Sequence, residues 1–333
     1  MEDSENFEYL YGRICGLFSS MYLGKRGAEI AKSERIQDIW AQLFSEQPPL
    51  IPALQLLDLC ERKVVEMGRL RVFNLSKQIS ETDELAQALL KKSEYSEIKR
   101  VLHLLKNNEP APGNLFILPK QKAFALDQWP DAGAIFAKTQ YSWIKGESLS
   151  DIGALENRLD KLYYTDLWAA AINIPDEEDG AIKMLIGKEV AYQNLMWAIR
   201  VRRYYGYGKD KAMPLLVQIP EIDSVSLAES IFEINIDDPS SLRAWKYAAF
   251  LDNQPPNAPL DVSLLENRLQ KELFIRVRRS LHIFPFTYTP LYCYFKFSEA
   301  EVALLLGILE GIRFNASLEE KVAHAWALSG ETA

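Results

Sequence analysis

Histidine, cysteine and carboxylate are the side chains that could bind a metal or move a proton here, and their spacing decides whether they do. His103, His282 and His324 each stand without a second ligand at i+3 or i+4, the separation that puts two ligands on one helix face. They read as isolated residues and not as a metal site. Cys15, Cys60 and Cys293 form no CxxC pair and no disulfide framework, which points to a reducing cytoplasm. Asp176-Glu177-Glu178-Asp179 gathers four carboxylates beside Pro175, the pattern of a solvated loop. Gly206-Tyr207-Gly208-Lys209-Asp210 has the glycines and the lysine of a phosphate loop. That loop also needs a glycine where Arg203 stands and a serine or threonine where Asp210 stands, so the stretch reads as a glycine-rich helix end. With no GxSxG, HExxH or GxGxxG pattern, no catalytic residue, metal ligand or cofactor site is expected.

Positive charge is patterned more densely. Ile199-Arg200-Val201-Arg202-Arg203, followed by Tyr204, Tyr205 and Tyr207, matches Ile275-Arg276-Val277-Arg278-Arg279. On a chain of net charge −8 these are local positive patches. A solvated helix face is the plainer reading. Docking to an acidic protein partner is the functional one, and RNA binding ranks behind both because aromatic neighbours flank one cluster only. The acidity of the chain argues against a general nucleic-acid binder.

The elements that position these residues are helical. Leu10, Ile14, Leu17 and Met21 recur at helical spacing, and Ile36, Ile39, Trp40 and Leu43 continue the pattern up to Pro48 and Pro49. A long helix is expected after Pro52, another from Leu85 to Leu105, and a boundary loop at 109–114. Leu155, Leu159, Leu162, Tyr163 and Leu167 form one apolar stripe. A turn at Pro175 precedes a returning helix through Val190, Leu195 and Ile199, which stops near Gly206. Ser263 with Glu266, and Ser317 with Glu320, make capping-box patterns; the second starts a short helix through Val322 and Trp326. No run of alternating strands is visible. A composition of 48% hydrophobic and 25% charged residues suits a globular protein of two or three domains. The acidic start, Met1 to Glu5, is unlike a signal peptide, and the apolar run from Val302 to Leu309 is far short of the roughly 20 residues of a spanning helix. No direct membrane insertion is expected.

Leu155-Glu156-Asn157-Arg158-Leu159 occurs again as Leu265-Glu266-Asn267-Arg268-Leu269. Sliding the chain by that offset of 110 makes twelve of the 61 positions from 151 to 211 identical without a gap, from Asp151 on Asp261 to Lys211 on Lys321. A fixed period of this kind marks one structural unit used more than once. Three such periods nearly fill the chain. The sequence therefore predicts an all-α fold of three similar helical domains in series, 1–114 (the divergent copy), 115–225 and 226–333. Asp160 and Asp166 face Gln270 and Arg276 in the repeat, so an acid–base pair is not part of the unit. Arg158 with Glu189, and Arg268 with Glu299, recur in register and are expected to bridge the two helices of each hairpin.

These residues resemble the C-type stalk component of the V-type (A-type) ATP synthases, the counterpart of the d component of the eukaryotic V-ATPase. The family pattern of a Leu-Glu-rich helix followed by a returning Glu-x-x-x-x-Asn-Leu helix is met by 155–167 and then by Glu189 with Asn194-Leu195. In the third copy it is met by Leu265 to Leu273, Pro285-Phe286 and Glu299 with Leu305, though Leu304 stands where the family has asparagine. Thr139-Gln140-Tyr141 and Tyr9-x-Tyr11-x-Arg13 are further similarities. The resemblance implies a funnel-like, pseudo-threefold arrangement and a non-catalytic central-stalk role in a rotary ATPase. Such a component sits on the cytoplasmic side of the membrane, between the shaft subunits D and F and the membrane rotor ring, and serves proton or other ion transport. Partner contacts are expected at Arg200, Arg202, Arg203, Tyr204, Tyr205, Tyr207, Arg276, Arg278 and Arg279, with no nucleic acid and no cofactor. The same repeats would also build a cytosolic helical scaffold of another complex.

Overall fold

A computed structural model describes residues 2–79, 83–113, 115, 124–252 and 254–323. Among them there is no β-strand, and the fold is all-α as the apolar spacing requires. Nine of the described helices reach eight residues or more: α1 (Glu2–Ser20), α2 (Gly24–Ala31), α3 (Ile36–Leu43), α4 (Ala53–Ile79), α5 (Glu84–Lys106), α6 (Ile152–Ile172), α7 (Ile182–Tyr205), α8 (Val262–Ile283) and α9 (Thr289–Arg313). Only α2 arises where no apolar repeat points to it. Trp326 and His324 lie outside the described residues.

Short polar side chains start these helices by accepting from free N–H groups of the first turn. Asp83 caps α5 through the Ala86 N–H (2.7 Å), and Asp151 accepts from Ala154 at 3.0 Å at the head of α6. Asp261, the repeat equivalent of Asp151, accepts from Ser263 and Leu264 at 2.9 and 3.0 Å. This replaces the expected Ser263–Glu266 capping box, because the aspartate two residues earlier already reaches the first-turn N–H groups. The Ser317–Glu320 box does form, with reciprocal bonds of 2.8 and 3.2 Å. It heads a short helix, Leu318–Ala323.

Packing divides the chain into two compact units, residues 1–79 with 171–333, and residues 80–170. Ion pairs join α6 to α5 in the smaller unit, and α7 packs with α8 in the larger. In the smaller unit α5 and α6 are joined by Lys91–Asp166 (2.7 Å), Lys99–Asp160 (2.6 Å) and His103–Glu156 (2.9 Å). Asp160 and Asp166 are thus rungs between helices. Near them Tyr95 meets Tyr141 and Tyr163 edge to face at 5.6 and 6.1 Å. Burial raises the Glu94 carboxyl and pushes the Tyr141 hydroxyl well up.

The larger unit is built around α9, which packs on α4, α8 and α1. From Thr289 to Ser298 every residue of α9 is buried, so no polar stripe is left for water. Gly68 lets α4 approach closely: a Cβ there would lie 2.5 Å from Val302 Cγ2, and Ser298 Oγ donates to the Gly68 carbonyl at 3.1 Å. No helix among the described residues is long and apolar enough to cross a membrane.

Candidate functional site

The buried positions of a helix must have their polar groups satisfied by its neighbours. On α9 those groups are Thr289, Lys296, Ser298 and Glu301, and each ties it to another element. Lys296 Nζ donates to Glu189 Oε1 on α7 at 2.5 Å and to Glu299 on its own helix at 2.7 Å. The second oxygen of Glu189 accepts from the Tyr292 hydroxyl at 2.5 Å. Glu301 is fully buried; its carboxylate pairs with Arg71 on α4 and accepts from the Tyr22 N–H at 2.8 Å. These buried charges are each matched and hydrogen-bonded, the condition under which a buried ion is tolerated.

The turns before α7 and α9 are bonded at repeat-equivalent residues. The Tyr288 N–H donates to the Glu178 carbonyl at 3.0 Å, and Thr289 Oγ1 donates to the Asp179 carbonyl at 3.2 Å; each pair is 110 apart. Thr289 Oγ1 also accepts from the Ala181 N–H at 2.9 Å. Between them lies Gly180 at φ +64, where a Cβ would come within 2.6 Å of both Thr287 and Thr289 hydroxyls. Backbone groups of the acidic run therefore serve as a structural joint; the picture of a solvated loop describes its side chains only in part.

The Arg–Glu pairs expected within each hairpin are replaced by other partners. Arg158 pairs with Glu147 at 2.7 Å and stacks 3.9 Å from the centre of the Trp143 ring. Arg268 reaches Asp252 at 3.8 Å. Glu189 and Glu299 instead converge on Lys296, a residue whose repeat equivalent is Ile186, so the offset pattern could not point to it.

The two basic clusters have different fates. Arg202 donates to the carbonyls of Ile231 and Ile234 (2.8 Å for the latter), and Arg203 to that of Leu260 at 3.1 Å. Arg200 faces Glu266 at 3.5 Å. Arg202 and Arg203 hold the irregular chain between α7 and α8 against α7. Asn194, fully buried, does the same: its amide donates to the carbonyls of Val217 (2.8 Å) and Ser224 (2.7 Å) and accepts from the Val217 N–H at 2.8 Å. Tyr204 and Tyr205 stay exposed at the end of α7, with Tyr207 against Tyr205. In the second cluster Arg276 pairs with Glu272, which also accepts from Tyr192; Arg279 is exposed and Arg278 half-buried. The clusters lie on different helices, α7 and α8, and are not repeat equivalents.

The three cysteines are unpaired thiols, and burial pushes Cys60 up to about 12, which leaves it unreactive. Among the described residues no group of histidine, cysteine and carboxylate could hold a metal ion.

Comparison with known proteins relates the chain to a family and to a relative. The sequence profile of the ATP synthase (C/AC39) subunit family matches residues 64–320, from within α4 to the helix that follows α9. A protein of Treponema pallidum (strain Nichols), described as an uncharacterized protein, is 24% identical over 316 residues, covering 91% of this chain and 92% of the relative.

Proposed function

Since the chain belongs to the ATP synthase (C/AC39) subunit family, we propose that it is a non-catalytic central-stalk subunit of a rotary V-type ATPase or ATP synthase. In that role it joins the rotor shaft, subunits D and F, to the membrane rotor ring on the cytoplasmic face and passes torque during ion transport. The three-module, funnel-like arrangement belongs to the same proposal. The observation that carries it is the family match across both compact units.

The core chemistry supports a mechanical part. A piece that transmits torque must resist shear between its helices, and apolar contacts alone are non-directional. Directional links tie α9 to α4 through Arg71–Glu301, to α7 through Lys296–Glu189, and to the turn before α7 through Thr289. Each fixes register as well as distance. A tagged copy recovered gently from native membranes and analysed by mass spectrometry tests the proposal. ATPase subunits and rotor-ring protein are expected with it; their absence, with some other stable assembly in their place, would make it a scaffold.

A further inference from the structure

Between Arg200 and Lys211 stand five cations and one acid, on a chain whose net charge is −8. Arg202 and Arg203 direct their N–H groups to the backbone carbonyls of Ile231, Ile234 and Leu260. A carbonyl satisfies a guanidinium without cancelling its charge, so the positive field at this end of α7 persists. Lys209 has its carboxylate, Glu229, only at 3.9 Å, and the Lys211 ammonium lies 5.8 Å from the centre of the Tyr207 ring.

Beside these charges stand aromatic rings open to water. Tyr204 is 74% exposed and Tyr205 54%, and the Tyr205 and Tyr207 rings are 5.6 Å apart. Their arrangement is fixed by the helix stop. Gly206, at φ +63, donates to the Arg202 carbonyl at 3.1 Å, and the Tyr207 N–H folds back to Val201 at 3.3 Å. Tyrosine has only two side-chain torsions to fix, so it offers a large contact area at little entropic cost on binding.

We infer that this end of α7 is a docking surface for an acidic segment of a protein partner. The partner's carboxylates face Arg203, Lys209 and Lys211, and its apolar or aromatic side chains lie on Tyr204, Tyr205 and Tyr207. Charge complementarity selects the partner: a positive, aromatic patch on an acidic molecule attracts an acidic segment while the rest of the surface repels it, which fixes where it lands. A nucleic acid would meet the same cations but is opposed by the acidity of the whole chain. The partner is identified by its chemistry alone, so failure of this surface would leave the stalk-subunit role standing.

The test is fluorescence anisotropy of a labelled peptide of repeating Glu-Glu-Tyr against the full chain. Binding at low salt that weakens as salt rises is expected, with none for the Lys-Lys-Tyr counterpart. Lys209→Glu with Lys211→Glu should weaken it by about tenfold or more. Tyr204→Ser with Tyr205→Ser should weaken it several-fold without changing the salt dependence. Thermal melts should be unchanged, because these side chains are largely exposed. If charge reversal lowers the melting temperature, Lys209→Gln with Lys211→Gln removes the charge without adding repulsion and decides the point. Absent peptide binding, or equal binding by the charge variants, would overturn the inference. So would tighter binding of single-stranded oligouridine at matched salt.

Discussion

Glu189 and Glu299 occupy the same position in two copies of the repeat, and both accept from the single ammonium group of Lys296, at 2.5 and 2.7 Å. Two neighbouring carboxylates are thereby held by one cation in a region where all but Glu299 are nearly inaccessible to water.

Removing the cation should therefore cost far more than removing one acid. Lys296→Ala takes away the charge that both carboxylates share and is expected to destabilise the fold by about 3–5 kcal/mol. Glu189→Gln keeps Lys296 on Glu299 and an acceptor for Tyr292, so its cost should be clearly smaller. Urea unfolding of both variants checks this; a Lys296→Ala protein within about 1 kcal/mol of wild type contradicts it.

The close approach of α4 to α9 at Gly68 makes a second prediction. Gly68→Ala places a methyl group against Val302 and should cost about 1–3 kcal/mol through overpacking. Adding Val302→Ala removes the atoms in the way and should restore part of that loss. A double-mutant cycle measures the coupling, which would be near zero if the helices could simply shift apart.

Asn194 satisfies three backbone groups of the chain between α7 and α8. Asn194→Ala leaves a buried N–H and two carbonyls without this partner and should cost about 2–4 kcal/mol. Hydrogen exchange should locate the loss, with the Val217 amide exchanging much faster than in wild type. Unchanged protection at Val217 would mean the segment is held by other contacts.

Stability should respond to pH through Glu94. Burial raises its carboxyl in the folded state, so the folded protein binds this proton more tightly than the unfolded chain does. The unfavourable contribution is absent below the ordinary glutamate range, grows as pH rises towards the folded value, and is complete only above it. Glu94→Gln should raise the urea midpoint at pH 7 relative to wild type and leave it nearly unchanged at pH 4. An equal shift at both values would assign the effect to packing.

All the long helices but α2 are legible in the sequence because each buries a stripe or a whole surface. Leu155 to Leu167 gives α6, and the run from Leu265 to Val277 gives α8. The repeat also exposes the matching caps Asp151 and Asp261, whose short carboxylates reach the first-turn N–H groups in both copies. What the repeat cannot carry are links made by a residue present once. Lys296 has no counterpart in the second copy, so the pattern pairs the glutamates with the arginines that recur alongside them, Arg158 and Arg268. Those arginines form ion pairs with nearby acids instead, Glu147 and Asp252. The segment from Gly206 to Leu260 has no long helical period; Asn194, Arg202 and Arg203 order it through its carbonyls, which are the same in every sequence and leave no pattern to read. At the end of α7 the arginines and tyrosines stand out as a group, yet only the folded geometry separates the arginines that brace this segment from the tyrosines left facing water.

The bond between Tyr288 and Glu178, with its neighbour from Thr289 to Asp179, bears on how such a molecule can change over time. Surface turns are ordinarily where chains gain and lose residues with least harm. Here each turn is the other's splint, and lengthening one by a single residue would slide the donors of the second past their acceptors. A change of chain length at either turn would therefore be felt at both.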